Sequence, residues 1–131
     1  MTILTMAIMH PRRLLYWQWG KLAGALLLPL VGVGGLLGAL ALHVAGDFTF
    51  QTDLMATRKA RGCKVALVLH ALVAGGLPGL LLGGLVGGLV GFVAHYAIDS
   101  TGKFGLGPTL GPIVDQAAHI AVLVILCILG G

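Results

Sequence analysis

Seven side chains in this sequence fall at spacings that could hold a divalent cation. His43 and Asp47, His95 and Asp99, and Asp115 and His119 are each four residues apart, and His70 stands alone between the first two pairs. Residues four apart on a helix are neighbours, about 5–6 Å between Cβ atoms, so each pair presents an imidazole and a carboxylate to one side. Neutral imidazole and carboxylate together suit zinc first, with manganese or iron as alternatives. Seven donors exceed one tetrahedral shell; they could hold two ions, or one ion with outer carboxylates orienting the rings. In this reading His43, His70, His95 and His119 are ligands. Asp47, Asp99 and Asp115 are ligands or ligand-orienting groups, one of them serving as general base in a metal-assisted hydrolysis.

The elements that must position these residues are apolar. Of the 131 residues 58% are hydrophobic and 9% charged, against about 25% charged in an ordinary soluble domain, and the mean hydropathy is +1.04. Too few charges remain to cover a water-facing surface, which argues against a soluble globular enzyme. Apolar runs at 22–46, 65–77, 80–98 and 113–129 predict an all-α bundle of about four membrane-spanning helices, since lipid admits only helices or closed barrels. Residues 1–21 read as a basic and aromatic leader lying at the headgroup level, and residues 22–131 as a single transmembrane domain. Pro29 and the glycines at 32–35 interrupt the first run, leaving open whether it spans once or bends back. Gly75-Gly76-Leu77-Pro78-Gly79 is the expected turn between the second and third runs. Pro112 suits an early helix position.

The net charge is +4. With few aromatics and no basic stripe it predicts no nucleic-acid partner; it is instead the loop charge that orients a membrane protein. Arg58, Lys59, Arg61, Lys64 and Lys103 put two connections on the cytoplasmic side of a bacterial inner membrane, in a multi-pass arrangement. The three cations of the leader conflict with that if the first run spans once. Asp53 lacks a helical histidine partner and reads as a cap in the polar loop, His10 as a solvated leader residue. Cys63 and Cys127 read as free, small apolar side chains.

Glycine gives these faces their register. Gly75, Gly79, Gly83, Gly87 and Gly91 recur every four residues and lead into His95 and Asp99; Gly35 and Ala39 lead into His43, Asp47 and Gln51; Gly111 leads into Asp115 and His119. Small residues let helices approach closely in lipid, within one chain, between copies, or with other membrane subunits. At about 1.5 Å per residue all seven donors lie near one membrane face, in one layer. An Asp inside a membrane helix costs about 2.5–3.5 kcal/mol on insertion scales, so such residues usually mark function. The plain alternative is three helix-internal His–Asp hydrogen bonds in a non-catalytic structural subunit of a membrane complex or a phage-encoded membrane factor. A proton or ion conductor built on the same groups is another.

At these residues the sequence resembles a known family. His43-Val-Ala-Gly-Asp47-Phe-Thr-Phe-Gln51-Thr-Asp53, His70-Ala-Leu-Val, His95-Tyr-Ala-Ile-Asp99 and Asp115-Gln116-Ala-Ala-His119 are similar, in that order, to the bacterial and phage membrane family known as domain of unknown function 3307, over about residues 36–128. The resemblance implies a membrane protein and carries no activity. His43-x-x-Gly46-Asp47 is also similar to a helix motif among the His/Asp zinc ligands of zinc-dependent phospholipases C and single-strand nucleases, and to short membrane-bound metal-dependent hydrolases. That second resemblance implies metal-assisted hydrolysis of a phosphoester, lipidic or not, at the cytoplasmic leaflet.

Overall fold

The computed structural model describes residues 11–101 and 103–130, so His10 and the first half of the leader lie outside the described residues. The described residues are mostly helical, without a strand. Helix α1 (Pro11–Leu27) runs into a 3-10 turn at Leu28–Val33. Helix α2 (Gly35–Val44) continues into a π-helical turn at Ala45–Thr49. After the short α3 (Asp53–Ala60), α4 (Lys64–Ala71) passes through a second π turn at Leu72–Gly76 into α5 (Leu77–Asp99). A 3-10 turn at Lys103–Gly105 leads to α6 (Gly107–Gly130). Two stretches, Lys64–Asp99 and Gly107–Gly130, are long and apolar enough to cross a membrane.

The first apolar run is not one helix. Pro29 lies in the 3-10 turn, Gly34 and Gly35 take positive φ (75° and 56°), a region only glycine enters freely, and the chain reverses. Helices α1 and α2 therefore lie antiparallel: Trp17 meets Phe48 edge-on at 6.3 Å between ring centroids, and the Thr49 hydroxyl donates to the Lys21 carbonyl at 3.0 Å. A Cβ on Gly20 would strike the Phe48 ring. Residues 11–21 thus share one helix with residues 22–27. Lys21 is thereby brought beside Thr49, just ahead of α3 and its cations Arg58 and Lys59.

The second turn also moves. The chain stays helical through Gly75–Gly79 and reverses instead at Gly83 and Gly84, whose dihedrals (−141°, 23° and 61°, −149°) leave the helical region. The arms on either side, residues 64–82 and 85–99, pack face to face around this point. A Cβ on Gly79 would run into the Gly87 backbone, and one on Gly75 into Gly91 and His95. The four-residue glycine register is therefore folded in half: Gly75 and Gly79 face Gly87 and Gly91, while Gly83, where an added Cβ would meet open space, makes the bend. Pro78 lies within this helical stretch, directly after the π turn, and the chain reverses at the two adjacent glycines, which leave the helical region. Helix α6 begins earlier than its apolar run, at Gly107, and takes in Pro108 and a buried Pro112 as its sixth residue. Thr52, not Asp53, caps α3: its hydroxyl accepts from the Met55 N–H at 3.1 Å, and Asp53 is the first helical residue. Both cysteines are free.

The interior departs from that of a water-soluble bundle. The largest fully buried side chains are His43, His70, Asp115 and Pro78, packed among small residues such as Ala39, Ala45, Ala71 and Ala74, while Leu85, Val86, Leu26 and Leu129 point outward. Replacing Gly79 by leucine is expected to destabilise the bundle by about 1–3 kcal/mol or more, the range for overpacking a close contact. The Gly32→Ala variant, which meets open space, should unfold like the parent. Denaturant unfolding in detergent micelles compares them.

Candidate metal centre

All seven donors converge. His43 and Asp47 come from the end of α2 and its π turn, His70 from α4, His95 and Asp99 from the end of α5, and Asp115 and His119 from the first half of α6. The four histidines are at most 3% exposed. Their rings stack in a compact set, with centroids 4.0 Å apart for His95 and His119, 5.0 Å for His70 and His95, and 5.1 Å for His43 and His119.

The two π turns make this convergence possible. Each is closed by a bond spanning five residues, Phe50 N–H to Ala45 O at 2.7 Å and Leu77 N–H to Leu72 O. A turn carrying an extra residue rotates the succeeding side chains around the helix axis, and π turns recur at functional sites. Asp47 lies inside the first, and the side chain of Gln51 donates back to the Asp47 carbonyl at 2.9 Å. Gly46 sits against the backbone of Ala74 in the second, where a Cβ would come within 2.8 Å of the Ala74 Cα. Glycine at 46 is thus a requirement of close approach between α2 and the arm that carries His70.

The shortest contacts run between helices rather than along them. Within the pairs, His43 and Asp47 are 3.7 Å apart, His95 and Asp99 3.5 Å, and Asp115 and His119 3.6 Å. Across helices, His70 Nε2 lies 2.9 Å and His95 Nε2 3.2 Å from Asp47 Oδ1. Three helix-internal hydrogen bonds, the plain alternative, are therefore not the pattern found.

Four donor atoms form a cage. His70 Nε2, His95 Nε2, Asp47 Oδ1 and Asp99 Oδ2 are separated by 2.9, 3.2, 3.4, 3.5 and, between the two nitrogens, 3.2 Å. An ion with donors at about 2.0–2.2 Å in tetrahedral geometry sets them about 3.3–3.6 Å apart. Each neutral ring can offer at most one N–H here, too few to satisfy two carboxylates and a second imidazole at once. A cation satisfies all four. Two further sets, His43–Asp47–His119 and Asp99–Asp115–His119, bring their donors within 4.8 Å of one another and share Asp47 or Asp99 with the cage. These buried groups could hold a metal ion, and the sharing leaves room for two.

The surrounding polar atoms agree. The Ala74 carbonyl can only accept, so the 3.1 Å contact from His43 Nδ1 places the ring hydrogen there and turns Nε2 inward. Orienting a ligand ring through its outer nitrogen is a usual arrangement at metal sites. Inside, His43 Nε2 lies 3.1 Å from Gln116 Oε1, whose amide nitrogen donates to Asp47 Oδ2. Turning the amide over would set its oxygen against the carboxylate, so neither orientation satisfies a neutral His43 and Asp47 together. Both nitrogens of His119, Nδ1 of His70 and Oδ1 of Asp115 are buried without a hydrogen bond. A small cavity lined by His43, His95, His119 and Gly91 adjoins them.

Sequence spacing gathers the seven donors but misses Gln116, Lys59 and Lys103. Lys59 Nζ lies 3.0 Å from Asp99 Oδ2 and Lys103 Nζ 3.3 Å from Asp115 Oδ2. No helical period links a lysine to an acid 40 residues away. The adjacency of Gln116 to Asp115 was the one hint of its part. Replacing Gln116 by leucine in the metal-free protein leaves His43 Nε2 and Asp47 Oδ2 without it. A loss of about 1–3 kcal/mol is expected, the cost of an abandoned buried polar group, read by denaturant unfolding.

No curated protein and no solved structure matches the chain. A family match covers residues 36–130, which include all seven donors and begin just after the Gly34–Gly35 break. The chain belongs to the family described as Protein of unknown function (DUF3307).

Proposed function

We propose that this chain is a multi-pass membrane protein whose helices hold a divalent-metal centre near one membrane face, and that the centre supports hydrolysis of a phosphoester. The observation that carries the reading is the four-donor cage. Two imidazole nitrogens and two carboxylate oxygens from three separate helical arms meet 2.9–3.5 Å apart, at or a few tenths of an ångström inside the separations of a tetrahedral cation's donors.

Membrane embedding is supported by the outward-facing leucines and valines and by the two long apolar helical stretches; exposed apolar surface on this scale calls for lipid or protein to cover it. The gathering of Lys and Arg at one end favours a cytoplasmic position for that end, and hence for the centre, in a bacterial inner membrane. Zinc suits the mixed imidazole and carboxylate set, with manganese or iron able to use the same donors. Such an ion, when bound, lowers the pKa of a coordinated water and polarises a phosphoryl oxygen. The chain supplies the rest. His70 and His95 hold the ion, Asp47 and Asp99 balance its charge, and His43 is oriented by the Ala74 carbonyl. Asp115, which has a buried oxygen without a hydrogen bond, is positioned to take a proton. The His43-x-x-Gly46-Asp47 motif favours hydrolysis over conduction.

Detergent-solubilised protein, stripped and then titrated with zinc, manganese or ferrous ion, is expected to retain about one or two equivalents. His70→Ala and Asp47→Asn should each lower affinity by tenfold or more, since every 1.4 kcal/mol is tenfold. Absence of stoichiometric binding for all three metals in folded protein would return the cluster to the structural-subunit reading. Liposome ion flux abolished by Asp99→Asn with no metal present would favour the conductor.

A further inference from the structure

Lys59 and Lys103 reach the cluster from different segments, and each stands on a carboxylate assigned above to the metal centre. Lys59 Nζ is 3.0 Å from Asp99 Oδ2, the same oxygen that completes the cage with His70 and His95. Lys103 Nζ is 3.3 Å from Asp115 Oδ2. The lysine side chains are 24% and 35% exposed while their carboxylates are 6% and 3% exposed. Both ammonium groups therefore lie between buried oxygens and the polar end of the bundle.

We propose that Lys59 and Lys103 are exchangeable counter-ions. They neutralise Asp99 and Asp115 in the metal-free chain, leave those oxygens when a divalent cation enters, and then form a cationic rim that binds a phosphate group over the metal. The inference rests on the metal reading above and deepens it.

Electrostatics supplies the displacement. A cation bonded to Asp99 Oδ2 would sit a few ångströms from an ammonium on the same atom, and like charges at that range repel strongly where water is scarce. Release is structurally easy. The ammonium of lysine rides on a flexible four-carbon stem and can swing outward without moving its backbone. Lys59 belongs to the short capped α3, flanked by Arg58 and followed by Arg61, both exposed. Two freed ammonium groups beside a divalent ion, among further cations, favour an anion that is multiply charged and offers several oxygens. A phosphate group fits that description better than a single carboxylate.

Amine acylation of the full-length protein in phosphatidylcholine vesicles, followed residue by residue, reads the exchange, with exposed Lys64 as internal control. Zinc or manganese ions are expected to raise labelling of Lys59 and Lys103 several-fold and to leave Lys64 unchanged. Inorganic phosphate, or phosphatidylglycerol added to the vesicles, should restore protection only when metal is bound. Protection by inorganic phosphate identifies a free anion as ligand, and protection by phosphatidylglycerol alone identifies a lipid headgroup. Bound metal with unchanged lysine labelling overturns the exchange but leaves the metal centre standing. Labelling that rises and is protected by neither probe overturns the anionic rim. Failure to bind any metal overturns the metal reading and this inference with it. In the K59M/K103M pair, metal affinity should rise about two- to fivefold, the size of a partly exposed ion pair; weaker binding would count against competition.

Discussion

Three carboxylates enclosed in an apolar bundle need positive charge close by, and the rest of this architecture depends on how that need is met. An unpaired carboxylate in a low-dielectric interior is among the costliest groups a protein can bury. Asp99 and Asp115 each have a lysine at hand. Asp47 does not: its partners among the described residues are the imidazoles of His43, His70 and His95 and the amide of Gln116. With neutral rings, the two lysines leave one of three negative charges unmatched at the point where the donors crowd most closely. A divalent cation would supply positive charge at that point.

Bringing the donors so close requires helices without bulk at their contacts. Gly46 against Ala74, Gly75 against His95, and Gly79 against Gly87 are contacts at which a Cβ would collide with backbone or with the site itself. Ala39, Ala45, Ala71 and Ala74 are fully buried in the same layer. The usual relation between core and surface is thus exchanged, with small and polar residues inside and large apolar ones outside. A polar centre of this kind is stable only if its members are satisfied together, because a partly satisfied buried network is worse than an apolar one. That condition links the close packing to the chemistry.

Much of this was legible along the chain. The i, i+4 spacing of His43/Asp47, His95/Asp99 and Asp115/His119, and the small residues one and two turns before them, place these side chains on buried faces. The runs of leucine and valine foretell helices. The turns were harder to read. Gly75-Gly76-Leu77-Pro78-Gly79 looks like a stronger break than Gly83-Gly84, yet the chain passes helically through the first and reverses at the second. Pro78 follows a π turn within the helical stretch, whereas consecutive glycines leave the helical region freely. Likewise, Pro29 and the glycines after it left the course of the first run undecided, and the packing of Trp17 and Gly20 on Phe48 decides that it doubles back.

Which donors exist, on which helix faces and near which end was determined by residue type and period alone, because burial of small residues and exclusion of charge from an apolar run act locally. Which donor meets which was not. The pairs along each helix turn out to be its looser contacts, and the cage is assembled from Asp47, His70, His95 and Asp99 across three arms. Two π turns, a glycine reversal and lysines arriving from α3 and the loop before α6 set those distances. Each is a consequence of helices fitting against one another, and no period in a single segment encodes it.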